Sequence, residues 1–191
     1  LIKSIGICVI MAQSGFFVPC EEFTFYPYKS LFTRILGNDN IFKGLSTFAV
    51  EMSELCVILK NADKNSLILG DEVCSGTETT SAISIFLSSL LKLHKNKTSF
   101  IFATHLHEIV KMKYLKELTN MKLAHMAIRC DDNGNIIYDR KLKDGSGSNI
   151  YGLEVCKSLH MPSDFLNKAH EIRRFIYPEE EEIMLINKSR Y

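Results

Sequence analysis

The sequence predicts an α/β domain in which a parallel sheet carries helices on its faces. Three observations lead there. Residues 66–70 (Ser-Leu-Ile-Leu-Gly) and 98–103 (Thr-Ser-Phe-Ile-Phe-Ala) are largely apolar runs of strand length, as expected of strands buried on both faces. Residues 79–94 between them repeat apolar side chains at helical spacing, through Ile83, Phe86, Leu87, Leu90 and Leu91. Strand, helix, strand in that order predicts a right-handed crossover between parallel neighbours.

The elements follow in order. Residues 1–12 are apolar nearly all round, which predicts a helix buried on most sides, ended by Gly15 and Pro19. Residues 23–26 and 31–35 read as short strands, and Gly37-Asn38-Asp39-Asn40 as a turn or loop. A helical stripe begins at Ser46 and runs through Phe48, Met52, Leu55 and Leu59, with Ser46 or Thr47 as N-cap. After the strand–helix–strand unit comes a short helix over 108–114. Two strands flank Asp131-Asp132-Asn133-Gly134-Asn135, a hairpin signal. A Gly/Ser-rich loop over 143–149 leads to two helices, 151–159 and 163–176, with Pro162 opening the second. The run Glu179 to Glu182 begins a polar tail. This predicts three parts: 1–150, 151–177 and 178–191.

Composition bounds the function. With 191 residues, 46% of them hydrophobic, the chain can bury one sizeable core. A net charge of +1 gives no global basic field for gripping nucleic acid. Six cysteines are scattered without C-x-x-C spacing, which argues against a zinc or disulfide framework and fits an intracellular, reducing compartment. The apolar stretch 5–17 is too short to span a membrane.

The chemistry concentrates at two strand ends. The run 66–70 delivers Asp71-Glu72, then Cys74-Ser75-Gly76-Thr77. In an open α/β sheet, ligands sit beyond the carboxyl ends of the strands. Paired carboxylates there suit nucleotide hydrolysis, one helping to hold Mg²⁺ and the other orienting a water. Strands often end in acidic residues for no such reason, but a small, flexible loop directly after them favours close approach of a ligand. Thr104-His105 ends the second run and would reach the same edge, where a histidine can bond a γ-phosphate or the attacking water. Taken alone, such a histidine is more often structural. The spacing His105-x-His107-Glu108 has some metal-ligand character but no accompanying ligand set. Gly44-Leu45-Ser46-Thr47 opens a helix, where free N–H groups and the helix dipole attract anions. By spacing alone it is an ordinary cap. The phosphate-cradling pattern G-x-x-x-x-G-K-[ST] occurs nowhere in the chain.

Together these segments resemble one family. Gly44-Leu45-Ser46-Thr47-Phe48-Ala49-Val50-Glu51-Met52 is similar to the signature segment of the MutS mismatch-repair ATPases. Asp71-Glu72 with Gly76-Thr77 resembles their Walker B strand and D-loop, and Ala103-Thr104-His105 with Glu108 their switch-histidine segment. Gly15-Phe16-Phe17-Val18-Pro19 and Tyr151-Gly152-Leu153-Glu154-Val155 match further family blocks. The likeness runs from Leu1 to Ile176.

The resemblance implies a P-loop NTPase sheet of ABC type, flanked by helices, with its P-loop segment lying before Leu1 and a C-terminal helix-turn-helix used for dimer contact. It implies ATP and Mg²⁺ as cofactors, with Asp71 supporting the metal, Glu72 acting on the hydrolytic water and His105 sensing the γ-phosphate. Ser46, Thr47, Gly76 and Thr77 would form the nucleotide-binding surface, Ser46 reaching across a dimer to the partner's ATP and Thr77 lying at the subunit boundary. The partners implied are a second MutS-like subunit and mismatched double-stranded DNA, the latter held by domains outside this stretch, with no membrane. Without a P-loop, residues 1–191 by themselves are expected to bind ATP weakly or not at all. Cys74-Ser75-Gly76-Thr77-Glu78 departs from the Gly-Arg-Gly-Thr-Ser usual in bacterial members, pointing to a divergent branch of organellar or giant-virus type with altered cross-subunit contacts. Two rival readings stand beside this one: a non-catalytic dimerisation module and an ABC-type ATPase of another kind.

Overall fold

The computed structural model describes residues 1–35, 47–130, 136–147 and 152–176, and among these residues it holds five α-helices, five β-strands and two short 3-10 turns. For residues 47, 130 and 136 only the backbone is described. The chain divides into two compact units, Leu1–Met121 and Lys122–Tyr191.

The first unit is built on a parallel sheet of β1 (Ser30–Arg34), β2 (Ser66–Asp71) and β3 (Ser99–Ala103), in the order β1-β2-β3. β2 is the middle strand, and Ile68 and Leu69 are fully buried. Burying each such side chain stabilises the fold by about 1.5–3 kcal/mol. The strand period of two divides its residues between faces. Leu67 and Leu69 pack with Ile2 and Val9 of α1 (Ile2–Gln13), while Ile68 packs with Ile58 and Ala62 near the end of α2 (Thr47–Asn61) and with Leu93 of α3 (Thr79–Lys95). The first apolar run is therefore a central strand, as its composition predicts, whereas β3 stands at one end of the described strand order and its residues are only partly buried.

α1 departs from expectation. It buries Ile2, Gly6 and Val9 along one stripe, but Ile7 and Ile10 are more than half exposed. It is a one-sided helix lying on the sheet, not one buried on most sides. Gly6 permits the close approach, because a Cβ there would stand 2.8 Å from Leu69 Cδ1. The helix ends at Gln13, and Gly15 takes a left-handed φ of +78° beyond it.

Residues 23–26 are not a strand. The amide side chain of Gln13 takes up the backbone of Tyr28 instead, accepting from its N–H at 2.7 Å and donating to its carbonyl at 3.1 Å. Phe23 stacks on Phe25 with ring centroids 5.4 Å apart, and Phe23 and Tyr28 cover the α1 face of the core. Pro27 lacks an N–H for a ladder in any case. The short helix expected over 108–114 is a pair of 3-10 turns, His107–Lys111 and Lys113–Glu117, which set Ile109 against Phe86, Leu90 and Leu118.

The second unit holds an antiparallel pair, β4 (Ala124–Cys130) and β5 (Ile136–Asp144), with an irregularity between Met126 and Ile128. This is the expected pairing; its turn, 131–135, lies outside the described residues. Helices α4 (Gly152–Ser158) and α5 (Ser163–Ile176) follow and are tied by Arg173 and Glu154 at 3.5 Å. The loop at 37–40 and the tail from 178 also lie outside the described residues. Among the described residues no helix is long and apolar enough to cross a membrane.

Candidate functional site

The site grows out of parallel pairing. Asp71 is the last residue of β2 and stands in register with Ala103, the last residue of β3. The next residues leave the sheet at its carboxyl edge. Glu72 donates its N–H to the Ala103 carbonyl at 2.9 Å, then turns into a left-handed conformation with φ of +52°. Cys74, two residues on, is also left-handed, at φ +69°. Such backbone costs a non-glycine residue roughly 1–2 kcal/mol, so the turn needs anchors. One is the bond to β3, and a second is the Ser75 N–H to the Glu72 carbonyl at 3.3 Å. A third is the Cys74 N–H donating to Glu51 Oε1 at 2.6 Å.

The turn brings Glu72 to His105. Glu72 Oε1 and His105 Nε2 are 3.0 Å apart, closing 33 residues of sequence. An ionised carboxylate only accepts, so the imidazole donates through Nε2. His105 is held in a tight loop after β3, where the Leu106 N–H bonds Thr104 Oγ1 at 3.1 Å and the His107 N–H bonds the His105 carbonyl at 2.9 Å. The His105 side chain is 82% exposed and that of Glu72 37%. A pair this open contributes little stability, but both groups are accessible to a ligand at the sheet edge. Asp71, half-buried, lies beside them at the β2 terminus. The three residues singled out at the strand ends thus share one edge. His105, His107 and Glu108 do not gather into a metal cluster; among the described residues no group of three His, Cys, Asp or Glu does.

The loop after Glu72 reaches the start of α2. A Cβ on Gly76 would stand 3.3 Å from Phe48 Cβ and 3.6 Å from Phe48 Cα, so Gly76 lies directly on the first turn of α2. Thr77 Oγ1 donates to Glu78 Oε2 at 2.8 Å, and Glu78 Oε1 accepts from the Ser81 N–H at 3.0 Å. Glu78 is therefore the N-cap of α3, satisfying an amide that has no intrahelical partner. The Ser81 bond, followed by that of Thr77, holds the Glu78 carboxyl below its ordinary range. Ser46 and the side chain of Thr47 lie outside the described residues; α2 begins at Thr47.

One residue in this neighbourhood has no role in the sequence reading. Glu51 is 3% exposed, a carboxylate on the inner face of α2. Arg34 at the end of β1 approaches it at 3.9 Å and Glu54 at 3.1 Å. Its charge also bears on Cys74, whose buried thiol is pushed up to about 11, first by desolvation and then by Glu51. The signal was present in the sequence: Glu51 interrupts the apolar stripe between Phe48 and Leu55, where a charge must find partners.

Comparison with known proteins agrees with this architecture. The family model for MutS domain V matches residues 1–176. A DNA mismatch repair protein mutS homolog of Acanthamoeba polyphaga mimivirus is 44% identical over 193 aligned residues, covering 99% of this chain and 17% of that protein. The mitochondrial DNA mismatch repair protein mutS homolog of Sarcophyton glaucum is 38% identical, with 100% and 19% covered. A DNA mismatch repair protein MutS from Clostridium perfringens is 39% identical, with 89% and 19% covered. The chain thus spans less than a fifth of the length of each of these relatives.

Proposed function

The chain belongs to the DNA mismatch-repair MutS family and carries its domain V, and from that membership we propose that it forms the hydrolytic edge of an ATPase in the full-length protein. In this reading ATP binding and hydrolysis are coupled to recognition of mismatched double-stranded DNA by other domains, within a dimer whose ATP sites are composite. The observation that carries it is the Glu72–His105 pair, 3.0 Å apart at the carboxyl edge of a parallel sheet, with Asp71 in register beside it.

Each residue has a part. The Glu72 carboxylate accepts from the attacking water and orients it toward the γ-phosphate. His105, bonded to that carboxylate, holds its aim and contacts the γ-phosphate, so that the position of Glu72 responds to the nucleotide. Asp71 offers one hard oxygen donor. Mg²⁺ is commonly held by one or two carboxylates completed by substrate phosphates and waters, so a single strand-end aspartate matches that donor set. The ion would neutralise developing phosphate charge. Gly76 and Thr77 place the following loop at the subunit boundary, beside the start of α2. Ser46, which directly precedes α2 in the sequence, serves with Thr47 the ATP of the partner subunit, where a hydroxyl and free N–H groups stabilise transferred charge. Helices α4 and α5 act as the dimer-forming helix-turn-helix.

Glu72→Gln in the full-length protein tests the reading. It keeps the shape of the side chain and removes the charge that acts on water. Expected is loss of steady-state turnover by about 100-fold or more, the scale of general-base catalysis, with ATP affinity retained. Unchanged turnover in that variant would remove Glu72 from its role.

A further inference from the structure

We infer that Glu51 is a positioning residue for hydrolysis: its carboxylate ties the strained Glu72 turn to α2, the helix that follows Ser46. The inference rests on Glu72 acting on the hydrolytic water. Its grounds are geometric. The turn after β2 contains two left-handed non-glycine residues, Glu72 and Cys74. Backbone of that kind persists where surrounding structure over-determines it. β3 anchors the start of the turn through the Ala103 carbonyl. Its far side is anchored by a side chain from another element, Glu51 Oε1 on the Cys74 N–H at 2.6 Å, buried and spanning 23 residues of sequence.

Packing repeats the connection. Gly76 lies against Phe48, one helical turn before Glu51. α2 therefore grips the loop at two points, by a charge-assisted hydrogen bond and by van der Waals contact. The Arg34 guanidinium approaches the same Glu51 oxygen from β1 at 3.9 Å. A charged group in an apolar stripe is a costly choice for packing alone, since an apolar residue of similar volume is often as stabilising or more so. What an apolar residue cannot do is accept the Cys74 N–H. Movement of α2 is then transmitted to the turn that aims Glu72, and two parts of the site distant in sequence move as one.

Three substitutions in the full-length protein separate the hydrogen bond from the charge. Gln at 51 keeps an acceptor at the same reach without charge. Asp keeps the charge, but one methylene shorter it falls short of the Cys74 N–H. Ala removes both. Expected is a fall in kcat of about tenfold or more for Glu51→Asp and Glu51→Ala, as a misplaced catalytic group gives. ATP dissociation constants should stay within about threefold, and Glu51→Gln should return kcat to within about threefold of the parent, a ratio worth less than 1 kcal/mol. Glu54→Ala, which removes only the exposed partner of Arg34, should leave kcat unchanged. The inference is overturned if folded Glu51→Asp keeps full kcat, or if folded Glu51→Gln loses it. The second result would make Arg34 pairing the role of Glu51. If Glu51→Ala does not fold, the Asp and Gln variants decide. Glu72→Gln is measured alongside: turnover surviving there defeats the hydrolytic reading itself, whatever Glu51 does.

Discussion

Gly70 shows how little room the strand end leaves. A Cβ there would stand 2.2 Å from Phe102 Cδ1 and Cε1 and 3.0 Å from Val73 Cγ2. Phe102 packs edge-on to Phe86, ring centroids 5.4 Å apart, so the ring cannot swing aside without disturbing α3. Gly70 directly precedes Asp71 and Glu72, and its backbone conformation is ordinary. Space is therefore the reason for glycine here. Gly70→Ala is expected to destabilise the fold by about 1–3 kcal/mol, the usual cost of overpacking a closed core, measured as a shift in the urea midpoint with unchanged slope. Gly152, which has nothing within 4 Å of its would-be Cβ, is the contrasting position: Gly152→Ala should be tolerated.

Among the elements, α3 depends on its cap. Glu78 accepts from Ser81 and from Thr77, and these bonds lower its pKa from the model-compound value of 4.5. A carboxyl depressed on folding contributes stability that is present above its unfolded pKa and lost as pH falls through its folded value. Thermal midpoints should thus fall from about pH 4.5 downward, and Glu78→Gln should flatten that part of the profile. A profile identical in the variant would show that the cap contributes nothing. Glu78 also illustrates what the sequence hid. The sequence marked the loop 74–78 as a place of altered cross-subunit contacts and gave no sign that Glu78 caps α3. The strand 66–71 was legible because residues buried on both faces leave an unbroken apolar run, and 99–103 kept an apolar run although its residues are only partly buried. The stretch 23–26, Phe-Thr-Phe-Tyr, has strand-like composition but forms no strand; it leads into Tyr28, whose backbone is taken up by the Gln13 side chain. Composition records burial, not the identity of a hydrogen-bond partner. For the same reason Asp71, Glu72 and His105 could be placed on one edge from strand order, whereas the Glu51–Cys74 bond, between a helix face and a turn, could not.

At the scale of the whole molecule, the proposal divides the site between subunits. Asp71, Glu72 and His105 lie on the sheet edge, and Ser46 precedes α2, the helix whose first turn receives Gly76. If Ser46 serves the partner's ATP, hydrolysis at each site requires correct dimer geometry, which is how binding elsewhere can control it. Mixed dimers of the full-length protein distinguish the two arrangements. Place Ser46→Ala in one subunit and Glu72→Gln in the other. With Ser46 acting across the interface, both lesions fall in one site and the second site stays whole, so about half the turnover remains. With Ser46 acting within its own subunit, each site carries one lesion and turnover collapses. Placing both substitutions in the same subunit reverses the outcome: collapse for action across the interface, about half for action within it. Retention in the first dimer with loss in the second assigns Ser46 to the neighbour; the opposite pattern assigns it to its own site and removes the composite arrangement.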